Sequence, residues 1–136
     1  MRSSVRVHPR VLLHAAFVLV AGILFSVAAA AAGQPFERAS FEAAQKAGRP
    51  ILLAVHADWC ATCRAQEPVL EALLREPKHA GFVAFRVDFD RQKDVVRQLR
   101  VQYQSTLIVY KGSKEVARST AVTDEAAIAT QLAKAL

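Results

Sequence analysis

The stretch ADWCATC, residues 57–63, holds both cysteines of the 136-residue chain and decides how the residues around it fold. An apolar run of strand length, residues 51–56, precedes it, and such a run is typical of a strand covered on both faces. From 61 to 76 the apolar residues recur at helical spacing instead. The stretch is therefore predicted to join a buried strand to a helix, with Cys60 at the junction.

The spacing of Cys60 and Cys63 suits thiol chemistry. Residues three apart at the start of a helix lie on one face with Cβ atoms ~5–6 Å apart, close to the separation of a disulfide. Cys60 is expected at the helix N-terminus, where free N–H groups and the helix dipole stabilise a thiolate, the attacking form in disulfide exchange. Cys63, one turn deeper, is expected to be more shielded. The predicted cycle has Cys60 attack a substrate disulfide and Cys63 displace the substrate.

Other uses of the cysteine pair stay open at this point. A purely structural disulfide across so short a loop restricts the unfolded chain little and therefore contributes little stability. A copper or zinc site has at most three ligands here, Cys60, Cys63 and His56, so zinc would need a fourth from elsewhere. A non-catalytic binding module that keeps the same fold is the third alternative.

The rest of the chain alternates between helix and strand patterns. Residues 41–47, with Ser40 as the N-cap, predict a short helix before the first strand. Further strands are predicted at 82–88, 106–110 and 115–119, and further helices at 90–99 and after a Thr123 cap. Strands separated by helices favour a parallel core, to which the final hairpin adds an antiparallel edge. The predicted fold class is therefore α/β, with a mixed central sheet and helices on both faces.

Together with Pro68, five residues after Cys63, and the order of the elements, the ADWCATC stretch resembles the thioredoxin family over roughly residues 36–136. The Ala-Asp-Trp-Cys lead-in is most similar to the exported thioredoxin domain of DsbD-like thiol:disulfide interchange proteins. This resemblance implies the thioredoxin fold, thiol:disulfide oxidoreductase activity and protein disulfide substrates. It also implies that Cys60 is the nucleophile and Cys63 the resolving thiol. This prediction includes no cofactor and no bound metal.

One departure from the family concerns the proton of the resolving thiol. The family usually has a buried aspartate six residues before the first cysteine, and Ala54 stands there. Glu67, one helical turn after Cys63, matches a glutamate position of the DsbD-like domains and is the candidate substitute proton acceptor, for which a plain surface glutamate is the alternative interpretation. His56 is a second candidate, for which packing at the strand end is the alternative interpretation.

A second departure concerns the loop beside the dithiol. The family places a cis-proline there, and alignment of Gln104-Ser105-Thr106 puts Ser105 at the proline position. A cis bond before a non-proline residue costs ~2.5–4 kcal/mol, so the bond before Ser105 is predicted to be trans. By the resemblance, Gln104, Ser105 and Thr106 are expected to bind the substrate, together with Trp59 beside the first cysteine.

Residues 1–32 have the layout of a secretory signal peptide. Arg2, Arg6 and Arg10 precede an apolar run that ends in five alanines at 28–32. The run 11–32 is long enough to span a bilayer, so an uncleaved N-terminal membrane anchor is the alternative. Either way, the thioredoxin-like domain at 33–136 is expected outside the cytoplasmic membrane. Reduction is the favoured direction and oxidation the alternative, because the dithiol alone does not set the redox potential. For a reductase in the periplasm of a bacterial host, a DsbD-like transmembrane thiol reductase would supply the electrons, and envelope proteins would be the substrates.

The charge of the chain indicates no nucleic-acid partner. The formal charge of +6 comes from 18 basic and 12 acidic residues. Three of the basic residues and none of the acidic ones lie in 1–32, which leaves +3 for the domain. The remaining basic residues are interleaved with acidic ones and form no run, which is typical of a solvated surface.

Overall fold

The computed structural model describes residues 33–136, so the predicted signal peptide or anchor lies outside the described residues. Within 33–136, no helix combines the length and the apolar character that crossing a membrane requires. The strands are β1 (Gln34–Pro35), β2 (Pro50–His56), β3 (Val83–Asp88), β4 (Thr106–Lys111) and β5 (Lys114–Thr120). The helices are α1 (Arg38–Lys46), α2 (Ala61–Arg75), α3 (Lys93–Gln98) and α4 (Glu125–Ala133), with a short 3-10 turn at Pro77–His79.

The five strands form one mixed sheet in the order β1-β3-β2-β4-β5. Strands β1, β3 and β2 are parallel, while β4 runs antiparallel to β2, and β5 runs antiparallel to β4. The predicted parallel core is thus confined to three strands. Although β4 follows a helix, α3 has only six residues and spans about 9 Å, less than half the ~20 Å of a six-residue strand. The helix alone does not carry the chain back along the sheet, and β4 starts at the end where β2 and β3 finish.

Helices cover both faces of the sheet, as the sequence predicts. Strand β2 alternates, with Leu52 and Ala54 facing one layer and Ile51, Leu53 and Val55 facing the other. The layer around Leu52 is closed by α2 and α4, and the other layer by α1 and α3. Because β2 contributes to both cores, its end is held rigidly where the chain turns into the ADWCATC stretch.

Two helix caps differ from the sequence prediction. Helix α1 begins at Arg38 with Glu37 at the N-cap position, so Ser40 lies inside the helix. Helix α4 is capped by Asp124, whose Oδ1 accepts the backbone N–H of Ala127 at 2.8 Å, rather than by Thr123. Several neighbouring residues at the start of a helix can act as its N-cap, so the sequence does not show which of them does. The path of the incoming chain decides it.

Candidate active site

Cys60 and Cys63 are joined as a disulfide at the N-terminus of α2, with their Cα atoms 5.3 Å apart. Cys60 is the N-cap residue, and its Sγ accepts the backbone N–H of Cys63 at 3.0 Å. A donor of this kind and the positive end of the helix dipole both favour negative charge on that sulfur. The structure thus places Cys60 where the sequence predicts, at the position suited to an attacking thiolate.

Both cysteines are buried in this disulfide form. Their exposed fractions are 4% for Cys60 and 3% for Cys63, so the greater shielding expected for Cys63 is absent from the oxidised protein. Ala57 and Phe89 pack around the pair. The Sγ of Cys63 also lies 3.9 Å from the carbonyl oxygen of Val55, which gives the reduced thiol an acceptor.

Trp59 forms an exposed aromatic surface next to the disulfide. Its side chain is 61% exposed, although its Nε1–H donates to Oδ2 of Asp90 at 2.8 Å. Asp90 is held in turn, since its backbone N–H donates to Oδ1 of Asp88 at 2.9 Å. The hydrogen bond fixes the indole ring and leaves its apolar surface free for contact with another molecule.

The loop at 104–106 meets the cysteine pair at the end of β2. No cis peptide bond occurs within residues 33–136, which confirms the trans bond predicted before Ser105. Ser105 is 4% exposed and adopts a left-handed conformation with φ of 57°. Its backbone N–H donates at 2.8 Å to the carbonyl of Val55, the same oxygen that lies beside Cys63 Sγ. The loop and the second cysteine therefore share one contact atom.

Side-chain hydroxyls stiffen this loop further. The Oγ–H of Ser105 donates to the carbonyl of Gln104 at 2.6 Å, and the Oγ1–H of Thr106 donates to the carbonyl of Tyr103 at 2.7 Å. Thr106 Oγ1 also lies 2.8 Å from the hydroxyl of Thr120 on β5. Gln104 is half-buried, whereas Tyr103 is 63% exposed. Ser105 is thus linked to the cysteine pair through the Val55 carbonyl, with Gln104 and Thr106 on either side of it in the chain.

Glu67 and His56 share a small cavity with Cys63. Its volume is about 10 Å³, and Ala54 forms part of the wall together with Cys63, His56, Glu67 and Arg86. Both candidate proton acceptors therefore lie behind the second cysteine, on the side of β2 where Ala54 carries only a methyl group. A cavity of this size is near the lower limit of the space that one water needs.

Charged groups surround the His56 ring. Its Nδ1 lies 3.4 Å from Oε1 of Glu67, and its Nε2 lies 3.5 Å from Oδ1 of Asp58. Arg86 bridges the same two carboxylates, at 2.8 Å from Glu67 and 3.5 Å from Asp58. Burial and then the Arg86 charge lower the pKa of His56 below 6.5, against the opposing influence of Glu67 and Asp58. His56 is therefore neutral at pH 7 and has two carboxylates placed to stabilise its protonated form.

Two residues of this site, Arg86 and Gln66, were not predicted from the sequence. Arg86 pairs with Ala54 across the parallel β2–β3 ladder, and an arginine inside an apolar strand pattern is the signal that could have identified it. Gln66 is only 3% exposed, and it lies four and seven residues before the buried Leu70 and Leu73. A polar residue on the apolar stripe of a helix indicates a buried hydrogen-bonding role.

The metal-binding alternative gains no support from the described part of the chain. Within residues 33–136, no three histidine, cysteine or acidic side chains are grouped so that they could hold a metal ion. The two cysteines bond to each other, and His56 is engaged with carboxylates. The arrangement instead suits transfer of electrons and protons at a cysteine pair.

Comparison with known proteins identifies the family. The Thioredoxin family model matches residues 34–134. The thioredoxin of Chlamydia trachomatis serovar D is 34% identical over 84 residues, which cover 62% of this chain and 80% of that protein. Trxlp from Edwardsiella tarda EIB202 has a crystal structure that is 41% identical, with a TM-score of 0.71 over 73% of this chain and 96% of that one. The thioredoxin NaTrxh of Nicotiana alata is 25% identical, covers 71% of this chain and 81% of its own, and has a TM-score of 0.63. With a family model over most of its length and a cysteine pair at the start of α2, this chain belongs to the thioredoxin family and is a thiol:disulfide oxidoreductase.

Proposed function

We propose that this protein is exported to the bacterial periplasm and reduces disulfides of envelope proteins. Its activity on protein disulfides follows from the family, and the observation that carries the chemistry is Cys60 Sγ at the α2 N-terminus, bonded by the Cys63 N–H. Support for export comes from the signal-like pattern of residues 1–32. Support for the reducing direction comes from the Ala-Asp-Trp-Cys lead-in, which is similar to that of DsbD-like domains.

The proposed cycle moves two electrons to the substrate. The Cys60 thiolate attacks one sulfur of the substrate disulfide, forms a mixed disulfide and releases the other substrate sulfur, which takes up a proton. Cys63 then loses its proton and attacks Cys60 Sγ, which releases the second substrate thiolate. The protein ends as the Cys60–Cys63 disulfide seen in the structure. A DsbD-like transmembrane thiol reductase would return it to the dithiol form by the same exchange.

Glu67 is the proposed acceptor of the Cys63 proton, with His56 as the second candidate. The two side chains line the same cavity as Cys63, and they lie 3.4 Å from each other. Oε1 of Glu67 is already bonded to Arg86, whereas the neutral ring of His56 has a nitrogen free to accept a proton. A proton on the His56 ring would lie next to the Glu67 and Asp58 carboxylates.

Trp59 and the loop residues Gln104, Ser105 and Thr106 are the proposed substrate contacts. Trp59 offers an exposed ring beside Cys60, and the loop lies against the end of β2 on the Cys63 side. A polypeptide whose disulfide reaches Cys60 would pass between them.

The activity is tested by insulin reduction with dithiothreitol as electron source. We expect Cys60→Ser to abolish the catalysed precipitation of insulin chains, because it removes the attacking sulfur. In a separate incubation of the pre-reduced protein without dithiothreitol, Cys63→Ser should instead accumulate a mixed disulfide with the substrate, visible as a larger species on a non-reducing gel. Full activity of the Cys60→Ser protein would overturn the proposed mechanism.

The export proposal needs the full chain in a bacterial cell. We expect the protein in the periplasmic fraction, either shortened by cleavage near residue 32 or, if the leader is an anchor, at full length in the membrane fraction. Deletion of a DsbD-like donor should shift the Cys60–Cys63 pair from dithiol to disulfide, measured by alkylation and gel shift. Recovery only from the cytoplasm, or a redox state that does not respond to the donor, would contradict this proposal.

A further inference from the structure

We propose that Gln66 is a positioning residue that holds the loop 104–106 against the dithiol and thereby sets the affinity for protein substrates. The inference rests on the proposed role of this loop in substrate binding. A side chain of helix α2, the helix that carries the cysteine pair, then determines where the loop lies.

Gln66 connects three parts of the chain. Its Nε2 donates to the carbonyl of Ser105 at 3.2 Å and to the carbonyl of Val122 at 2.8 Å, so both N–H bonds of the amide are used. The residue is 3% exposed and lies three positions after Cys63 on α2. Since a buried amide that loses its partners is costly, these bonds lock the loop and the segment after β5 to the catalytic helix.

The backbone that Gln66 holds is strained. Ser105 and Ala121 both adopt left-handed conformations, with φ of 57° and 61°, although neither is glycine. The two residues face each other, since the N–H of Ala121 donates to the carbonyl of Ser105 at 3.0 Å. Non-glycine residues persist in this region only where the surrounding structure over-determines them. Here the surrounding structure fixes the backbone at the Ser105 carbonyl, which accepts hydrogen bonds from both the Ala121 N–H and the Gln66 amide.

The other side of Ser105 faces the dithiol. Its N–H donates to the carbonyl of Val55, the oxygen that lies 3.9 Å from Cys63 Sγ. A proline at this position would have no N–H to donate, and its φ is fixed near −65°, far from the value here. This chain therefore places the loop by hydrogen bonds to both polar backbone groups of Ser105, and Gln66 supplies the one that comes from the catalytic helix.

The decisive experiment removes the donors and keeps the volume. Gln66→Met should raise KM for insulin by about three- to tenfold, the factor that corresponds to loss of one net hydrogen bond. The rate at which iodoacetamide alkylates reduced Cys60 should change by less than about twofold, because a small reagent does not need the loop. The matched control is Val96→Ala, a core change on the opposite face of the sheet, which should lower stability without raising KM.

A second variant keeps the inference testable if Gln66→Met folds poorly. Gln66→Glu replaces the donating amide by a carboxylate that faces two carbonyl oxygens at pH 7. Its KM, taken relative to wild type at each pH, should be raised at pH 7 and recover at pH 5, where a protonated carboxyl again has a hydrogen to donate. The folded fraction of the variant, measured by circular dichroism at both pH values, separates this recovery from a defect of folding.

Two results would overturn the inference. One is an unchanged KM in Gln66→Met, and the other is an equal rise of KM in Val96→Ala. Retained activity in Cys60→Ser would instead overturn the proposed mechanism, so the two failures are distinguishable.

Discussion

At the scale of single residues, Ala54 shapes the proton chemistry of the site. Because Ala54 has only a methyl group, the cavity behind Cys63 is lined by side chains from three other places in the chain, His56, Glu67 and Arg86. Burial and then the Arg86 charge lower the pKa of His56 and keep the ring neutral, while Glu67 and Asp58 are placed to stabilise its charged form. The cluster therefore combines a base that is unprotonated at neutral pH with partners for the proton that it accepts.

The lowered pKa of His56 has a consequence for stability. The unfolded chain binds the proton near pH 6.5, whereas the folded chain binds it only at lower pH, so the contribution of His56 is fully present above pH 6.5 and is lost as pH falls through its folded pKa. We expect His56→Gln to flatten the decline in unfolding free energy between pH 7 and pH 5, by at most about 1.4 kcal/mol per pH unit. Urea unfolding at several pH values measures this slope.

Two acidic groups with shifted pKa values, Asp88 and Glu76, affect stability below this pH range. The pKa values of Asp88 and Glu76 are also lowered, from 3.8 and 4.5, so their effects on stability fall at more acidic pH. A slope between pH 7 and pH 5 that is the same in His56→Gln and wild type would show that His56 titrates alike in the folded and unfolded chain.

The role of Glu67 can be separated from that of a surface carboxylate. Glu67→Gln should slow insulin reduction about tenfold, below the usual contribution of a general base, because His56 lines the same cavity and can accept the proton in its place. Glu71→Gln is the matched control, since Glu71 follows one turn later on α2 and pairs with Arg75 at the surface. Equal losses in both variants would remove Glu67 from the proton path.

The sequence predicted single residues of the site correctly where neighbours in the chain decide their geometry. The CxxC spacing at a helix start places Cys60 and Cys63 by the geometry of one helical turn, and the cost of a cis bond before serine fixes the trans bond at Ser105. Gln66 and Arg86 were missed because their partners are distant in sequence. Gln66 bonds residues 39 and 56 positions away, and no pattern along the chain indicates which carbonyls will meet it.

At the scale of elements, β2 and α2 were predictable because each carries a long regular pattern. The bounds of the shorter elements were less predictable: α3 covers 93–98, whereas the sequence pattern predicts 90–99. The two-residue strand β1 was not predicted, because only its pairing with Phe85 and Arg86 makes it a strand. The antiparallel direction of β4 depends on how far α3 carries the chain, which is a property of the folded helix.

The turn between β4 and β5 gives a prediction at this scale. Gly112 adopts φ of 58°, and a Cβ there would lie 3.4 Å from the Cα of Gly48. We expect Gly112→Ala to lower the unfolding free energy by about 1–2 kcal/mol, because an L side chain is strained in the left-handed region. Gly81→Ala is the control: Gly81 is outside that region and its Cβ would meet only the Pro50 ring at 3.7 Å. Chemical denaturation compares the two, and equal stabilities would contradict the expectation.

At the scale of the whole molecule, β2 joins the two hydrophobic layers into one unit. Its residues are buried from both sides, and the cysteine pair begins where it ends. A fold in which one strand belongs to both cores has little opportunity to lose one layer and keep the other. Unfolding within residues 33–136 should therefore be cooperative.

Trp59 makes this cooperativity measurable, because it is the only tryptophan of the sequence. We expect urea curves from Trp59 fluorescence, which reports on the active site, and from far-UV circular dichroism, which reports on the whole fold, to coincide. Ile128→Val, in the layer closed by α2 and α4, should shift both curves together by about 0.5–1.5 kcal/mol. A fluorescence transition that precedes the dichroism transition would mean that the site unfolds separately.

The carbonyl of Val55 has a consequence for spectroscopy. A carbonyl oxygen has two lone pairs, and in the disulfide form the Ser105 N–H uses one while Cys63 Sγ has no hydrogen to donate. Reduction restores an S–H group beside the same oxygen, so the carbonyl then accepts from two donors instead of one. The Ser105 amide proton should therefore change its NMR chemical shift with the redox state of a cysteine 42 positions earlier in the chain. An isotope-labelled sample would report the state of the dithiol continuously, without any reagent that consumes it.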